Sequence, residues 1–227
     1  MDKKAAILCA RVCIGSYLGK VDSPDFQLTA RFENKGTDTQ GLFGVAFGDT
    51  LVIAFRGSEE TGIADWITDL KFLQTAYPYG GADANVKVHY GFLEAYQSVR
   101  DAILNEAKKS PHKKFVCTGH SLGGGLATLA ILDIGHTVPH KELACYTFGS
   151  PKVGNQQFVA LYNKKVPNTF RCVNGADSVP AIPPGNYYHV EKLVQIGDVA
   201  AALKEALVEK VEDHFPHNYL KVLQALA

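Results

Sequence analysis

Apolar residues recur along this chain with two different periods, and each change of period marks an element boundary. Over residues 3–18, Ala6, Cys9, Ala10, Cys13 and Tyr17 share one side at helical spacing, so the opening stretch predicts an amphipathic helix. Asp22-Ser23-Pro24-Asp25 ends it in a turn. Residues 26–32 fit a short strand or an irregular segment, and Asn34-Lys35-Gly36-Thr37-Asp38 is a second turn. Residues 41–47 and 50–55 are short apolar runs joined by Gly48-Asp49, the pattern of a β-hairpin. The second run is apolar almost throughout, as expected of a strand covered on both faces.

Beyond it the pattern alternates between strand and helix. Residues 65–70 read as a short amphipathic helix, 77–83 as a loop, 87–92 as a return to order and 93–108 as one helix. An apolar strand over Phe115-Val116-Cys117-Thr118 leads through a glycine-rich turn into Leu126-Ala127-Thr128-Leu129-Ala130-Ile131-Leu132, a helix apolar enough to be buried. Further strands are expected at 143–148, 169–174 and 189–196, and helices at 155–162, 199–211 and 216–226. Strands separated by helices indicate an α/β fold with a mainly parallel central sheet flanked by helices. No internal repeat, low-complexity segment or linker interrupts the pattern, so residues 1–227 are expected to form a single domain.

Composition narrows the function classes. The formal net charge of the 227 residues is zero, which gives no electrostatic ground for nucleic acid or an anionic membrane as the main partner. No stretch is long and uncharged enough to span a bilayer. Lys3-Lys4 before an apolar run faintly suggests a secretory signal, but Arg11 interrupts the run and no small-x-small cleavage site follows. The five cysteines are odd in number, and Cys117, Cys145 and Cys172 sit in apolar strand-like surroundings. They read as reduced core residues rather than a disulfide framework, favouring a cytoplasmic location over a secreted one. No Cys/His cluster has zinc spacing.

The chemistry is carried by the turn Gly119-His120-Ser121-Leu122-Gly123 between a strand and a helix. The pattern G-x-S-x-G in that setting is a nucleophile elbow. A sharp turn lifts the serine hydroxyl clear of the backbone, and its neighbours must be small where strand and helix pass closely. The N–H of Leu122, at the helix N-terminus, points where an oxyanion would form. A serine needs a histidine base, and the base needs an acid. After such an elbow the acid precedes the base in the chain, at the carboxyl edge of the sheet. Asp177 follows the 169–174 strand directly and is the candidate acid. The candidate base is His214 or His217, with His214 favoured because Pro216 would open the last helix and leave His214 in the loop before it. Ser58, after Arg56-Gly57 at the end of an early strand, is the second candidate oxyanion donor.

These pieces occur together in one order: Ala54-Phe55-Arg56-Gly57-Ser58, Asp65-Trp66-Ile67-Thr68-Asp69-Leu70, Val88-His89-Tyr90-Gly91-Phe92, Thr118-Gly119-His120-Ser121-Leu122-Gly123-Gly124, Phe148-Gly149-Ser150-Pro151-Lys152-Val153-Gly154-Asn155 and Asp177-Ser178-Val179-Pro180. From about Phe43 onward the chain resembles the class 3 lipases, the fungal-lipase-like and feruloyl-esterase-like branch of the α/β-hydrolases. The resemblance implies an α/β-hydrolase fold and hydrolysis of carboxylic esters, acylglycerol lipids among them. It implies Ser121 as nucleophile, Asp177 as acid, a late histidine as base, Ser58 and Leu122 as the oxyanion hole, and no metal or cofactor. It also implies a lid over 59–70, carrying Ile63, Trp66, Ile67 and Leu70, that would meet a lipid–water interface. A silent lipase-like scaffold and an acyltransferase with the same triad are the alternatives.

Overall fold

The hairpin forms where the chain turns through two left-handed residues, Phe47 (φ 51°) and Gly48 (φ 75°), with Asp49 N donating to Ala46 O at 3.2 Å. Two successive positive φ values are what a type I′ turn requires, and its twist matches that of the flanking strands. The turn is therefore centred one residue earlier than Gly48-Asp49. The computed structural model describes residues 1–58, 71–139, 141–198 and 213–226.

Within these residues the main sheet has seven strands. They are β1 (Phe26–Asn34), β2 (Thr39–Ala46), β3 (Thr50–Phe55), β6 (Lys114–His120), β7 (Glu142–Phe148), β8 (Thr169–Asn174) and β9 (Leu193–Ile196), in the spatial order β1-β2-β3-β6-β7-β8-β9. β1, β2 and β3 pair antiparallel; from β3 to β9 every pairing is parallel. A separate two-stranded ribbon joins β4 (Gln74–Ala76) to β5 (Lys87–His89). The strand expected over 189–196 is shorter, Leu193–Ile196; just before it the main chain bridges elsewhere, Tyr188 to Gly154.

Helices cover both faces. On one, α1 (Lys3–Leu18) and α6 (Pro216–Ala225) pack Ala6, Cys9, Cys13, Tyr219 and Leu223 against Tyr146, Phe148 and Cys172. On the other lie α2 (Tyr90–Gln97), α3 (Arg100–Lys109), α4 (Leu122–Thr137) and α5 (Gln156–Lys165). α4 is buried from Gly123 to Gly135, as its apolar composition requires. Its one carboxylate, Asp133, is compensated by Arg100 (Nε 2.6 Å, Nη2 3.1 Å) and the Tyr96 hydroxyl (2.7 Å). The single helix expected over 93–108 is two. The Ser98 carbonyl accepts from Asn34 Nδ2 at 3.2 Å and Val99 leaves helical geometry (φ −121°), so the ladder breaks between α2 and α3.

All five cysteines are buried and none forms a disulfide. No helix among the described residues is long and apolar enough to cross a membrane. The helix expected over 199–211 lies outside the described residues, as do the short helix at 65–70 and the whole 59–70 segment with Ile63, Trp66, Ile67 and Leu70. The parallel strands β3, β6, β7 and β8 end along one edge, and the residues that follow them, Ser58, Ser121, Gly149 and Asp177, gather there.

Candidate active site

Ser121 is one of three non-glycine residues with positive φ (56°, ψ −129°) among the described residues, a conformation that costs about 1–3 kcal/mol. Its surroundings fix it there. Ser121 N donates to Phe148 O and Gly124 N donates to Ser121 O, each at 2.9 Å. The flanking glycines have no room for a side chain. A Cβ at Gly119 would lie 2.1 Å from Gly123 O, and one at Gly123 would lie 2.3 Å from Phe55 O. Leu122 is the first residue of α4, so its N–H is among those a helix leaves without an internal partner.

Asp177 stands at the end of the loop after β8 and is buried, as is His214 in the turn before α6. His214 Nδ1 lies 2.8 Å from Asp177 Oδ2. The same carboxylate accepts from Val179 N at Oδ1 (2.9 Å) and from the Tyr219 hydroxyl at Oδ2 (2.5 Å). Burial and the adjacent Asp177 charge push the Tyr219 hydroxyl well above its usual range, so it stays a donor. The close approach of β7 is built into Gly149 (φ 58°), where a Cβ would sit 2.6 Å from Asp177 Oδ2 and 2.7 Å from His214 Nδ1. Since Nδ1 donates to the carboxylate, Nε2 of a neutral His214 is left as an acceptor. His214 Nε2 and Ser121 Oγ are both buried, and neither has a hydrogen-bond partner among the described residues.

The structure thus brings Asp177 and His214 together at the edge that carries Ser121, and it leaves His217 exposed on α6. Gly57, the residue before Ser58, passes so close to the elbow that a Cβ there would be 3.2 Å from Ser121 Cβ. Among the described residues no group of three or more His, Cys, Asp or Glu side chains is arranged to hold a metal ion.

Several supporting hydrogen bonds escaped the sequence reading, in which His120 only packs under the elbow. Asp213 Oδ2 accepts from Ala176 N at 2.9 Å, and Asn174 Nδ2 donates to the Asp213 carbonyl at 3.1 Å, tying the loop before His214 to the loop before Asp177. His120 Nε2 lies 2.5 Å from the His214 carbonyl oxygen and its Nδ1 2.9 Å from the Tyr17 hydroxyl. Burial, with His214 close by, holds His120 well below the usual histidine range and keeps it neutral. The one local signal was an aromatic hydroxyl, Tyr17 or Tyr219, on an otherwise apolar helix face.

The family model "Lipase (class 3)" matches residues 52–187. A lipase of Rhizomucor miehei is 38% identical over 161 residues, covering 66% of this chain and 42% of that protein. The secreted mono- and diacylglycerol lipase 1 of Fusarium solani is 38% identical over 138 residues, covering 59% of this chain and 39% of that protein. The chain therefore spans about two fifths of the length of these two curated relatives. Among solved structures, a triacylglycerol lipase described as having a serine protease triad at its catalytic centre is 29% identical with a TM-score of 0.73, covering 86% of this chain and 79% of that one. The Fusarium relative is named as a secreted protein, which lends no support to the cytoplasmic location expected from the sequence.

Proposed function

Since the chain belongs to the class 3 lipase family, we propose that it hydrolyses carboxylic esters of acylglycerols through Ser121, His214 and Asp177. One observation carries the reading. On a strained elbow, a buried serine hydroxyl without a partner among the described residues shares the site with a buried imidazole whose Nδ1 is bound to a carboxylate and whose Nε2 has no partner among them. Leaving two such groups unpaired costs about 1–3 kcal/mol each, a cost a purely structural turn has no reason to carry.

In the proposed reaction Ser121 Oγ attacks the ester carbonyl while His214 Nε2 takes its proton. Asp177 holds the ring in the Nδ1–H tautomer and stabilises the imidazolium. The carbonyl oxygen becomes an oxyanion, received by the N–H groups of Leu122 and Ser58, each worth about 3–4 kcal/mol in the transition state. His214 returns the proton to the leaving alcohol. Water, activated by the same base, then releases the acid from the acyl-enzyme.

The test is hydrolysis of p-nitrophenyl esters of increasing chain length and of mono-, di- and triacylglycerols, with Ser121→Ala beside the wild type. Loss of turnover by about five to six orders of magnitude is expected in a folded variant. Turnover that survives Ser121→Ala would sink the triad reading. A wild-type protein that a fluorophosphonate does not label would favour a silent scaffold, and ester products formed from an added alcohol would indicate acyl transfer.

A further inference from the structure

The ring of His214 is aligned by Asp177, but the main chain that carries it is held from elsewhere. His120 Nε2 lies 2.5 Å from His214 O, His120 Nδ1 lies 2.9 Å from the Tyr17 hydroxyl, and Gly57 N donates to that same hydroxyl oxygen at 3.1 Å. The proton positions follow by elimination. A carbonyl only accepts, so His120 Nε2 carries the ring proton and Nδ1 accepts. The Tyr17 hydroxyl then donates to Nδ1, and its lone pair receives Gly57 N–H. Every bond runs in one direction, the arrangement in which neighbouring hydrogen bonds strengthen one another.

We infer that Tyr17 is a positioning residue, which fixes the oxyanion loop and the His214 main chain relative to Ser121 through the chain Gly57 N–H to Tyr17 to His120 to His214 C=O. The inference rests on the triad reading above. Three of the four members adjoin or belong to the proposed machinery, and the ring of His120 also packs against that of His214 (centroids 4.5 Å apart). Gly57 precedes Ser58, His120 precedes Ser121, and His214 is the proposed base. The four come from the end of β3, the last turn of α1, the end of β6 and the turn before α6. The ladder between β3 and β6 stops at Phe55 and Gly119, so Gly57 N–H lies beyond the sheet and takes its acceptor from α1. The geometry leaves no alternative residue at 57, where a Cβ would lie 2.4 Å from the Tyr17 hydroxyl and 2.5 Å from His120 O. Tyr17 itself is held by its ring, which meets that of His120 edge-on (6.0 Å, 63°) and lies 5.6 Å from the Arg56 guanidinium carbon.

The test compares Tyr17→Phe, His120→Gln and the double variant with the wild type, measuring kcat per fluorophosphonate-titratable site, KM and Tm, with Ser121→Ala alongside. Tyr17→Phe keeps the ring and removes only the hydroxyl. The amide introduced by His120→Gln can still donate to His214 O but no longer joins that bond to Tyr17. Misplacement of reacting groups by an ångström or less costs up to about 100-fold, so each single variant should lose about 10- to 100-fold in kcat with KM within about twofold. The double variant should lose no more than the worse single, because both cut one chain. Wild-type kcat in Tyr17→Phe, losses that multiply, or a loss confined to KM or Tm would each overturn the inference. Should Tyr17→Phe fail to fold, His120→Gln carries the test: with Tyr17 in place it must still lose kcat. A Ser121→Ala variant that retained turnover would instead overturn the triad reading, which keeps the two failures distinct.

Discussion

Replacing Tyr219 by Phe removes one oxygen from the site and little else. The ring keeps its edge-on contacts with Phe148 (5.9 Å) and His120 (6.1 Å), so no side-chain cavity opens. What is lost is the hydroxyl's 2.5 Å bond to Asp177 Oδ2. A hydrogen bond to a charged group contributes about 1.5–3 kcal/mol. Tyr219 and the Asp177 side chain are both 0% exposed, so water does not replace the donor and the upper half of that range applies. For a chain of this size each kcal/mol moves Tm by about 2–4 °C, giving an expected fall of roughly 5–12 °C.

The effect on turnover should be much smaller than that of removing the acid. Asp177 keeps Val179 N–H on Oδ1 and the His214 ring on Oδ2, so the tautomer and orientation of the proposed base persist. We expect kcat to fall by about 3- to 30-fold, against about 10⁴-fold for Asp177→Asn, in which the wrong tautomer is favoured. Because burial and the Asp177 charge keep the Tyr219 hydroxyl protonated, the ratio of wild-type to variant kcat should be constant from about pH 6 to 9. Thermal melts by circular dichroism and p-nitrophenyl ester kinetics measure both quantities. An unchanged Tm together with an unchanged kcat would refute the bond. A loss as large as that of Asp177→Asn would refute the supporting role and make the hydroxyl a participant.

Gly123→Ala should destabilise by more than about 3 kcal/mol or prevent folding, since its Cβ would lie 2.3 Å from the Phe55 carbonyl oxygen and backbone cannot step aside. Gly48→Ala, with nothing within 4 Å but φ at 75°, should cost only about 1–2 kcal/mol; equal Tm values for the two variants would contradict the packing at the elbow. Acid should weaken the fold through buried neutral histidines. Burial lowers His89 and His189 from 6.5 to about 4, so between those values the unfolded chain binds more protons. Their contribution is complete above pH 6.5 and is lost as pH falls toward 4, by up to about 3 kcal/mol each; urea midpoints that agree at pH 7 and pH 4.5 would argue against it.

How far such features can be read in advance depends on how local their cause is. Strands β3, β6 and β7 are written in the sequence because burial on both faces demands consecutive apolar residues. β1 is not, because an edge strand with a bulge between Leu28 and Ala30 exposes Gln27, Thr29, Ala30 and Arg31 and so breaks simple alternation. The split between α2 and α3 is hard to read in advance, since the local bond of Ser98 Oγ to Ala95 O is joined there by an amide 64 positions away, at Asn34. The site divides the same way. Ser121 is legible because a strained serine forces glycine onto its immediate neighbours, and Asp177 because it follows a strand end directly. Of the two late histidines the sequence favours His214, because Pro216 opens the last helix, and the turn before α6 places His214 against Asp177 and leaves His217 exposed. The bonds holding these groups in register, from Tyr219 across 42 positions and from Tyr17 across 103, have partners that no short window contains. Such donors are constrained only by where helices dock. Their one mark in the sequence is a hydroxyl on a face that packing alone would have filled with a hydrocarbon, and the cost of burying it is what argues for a partner.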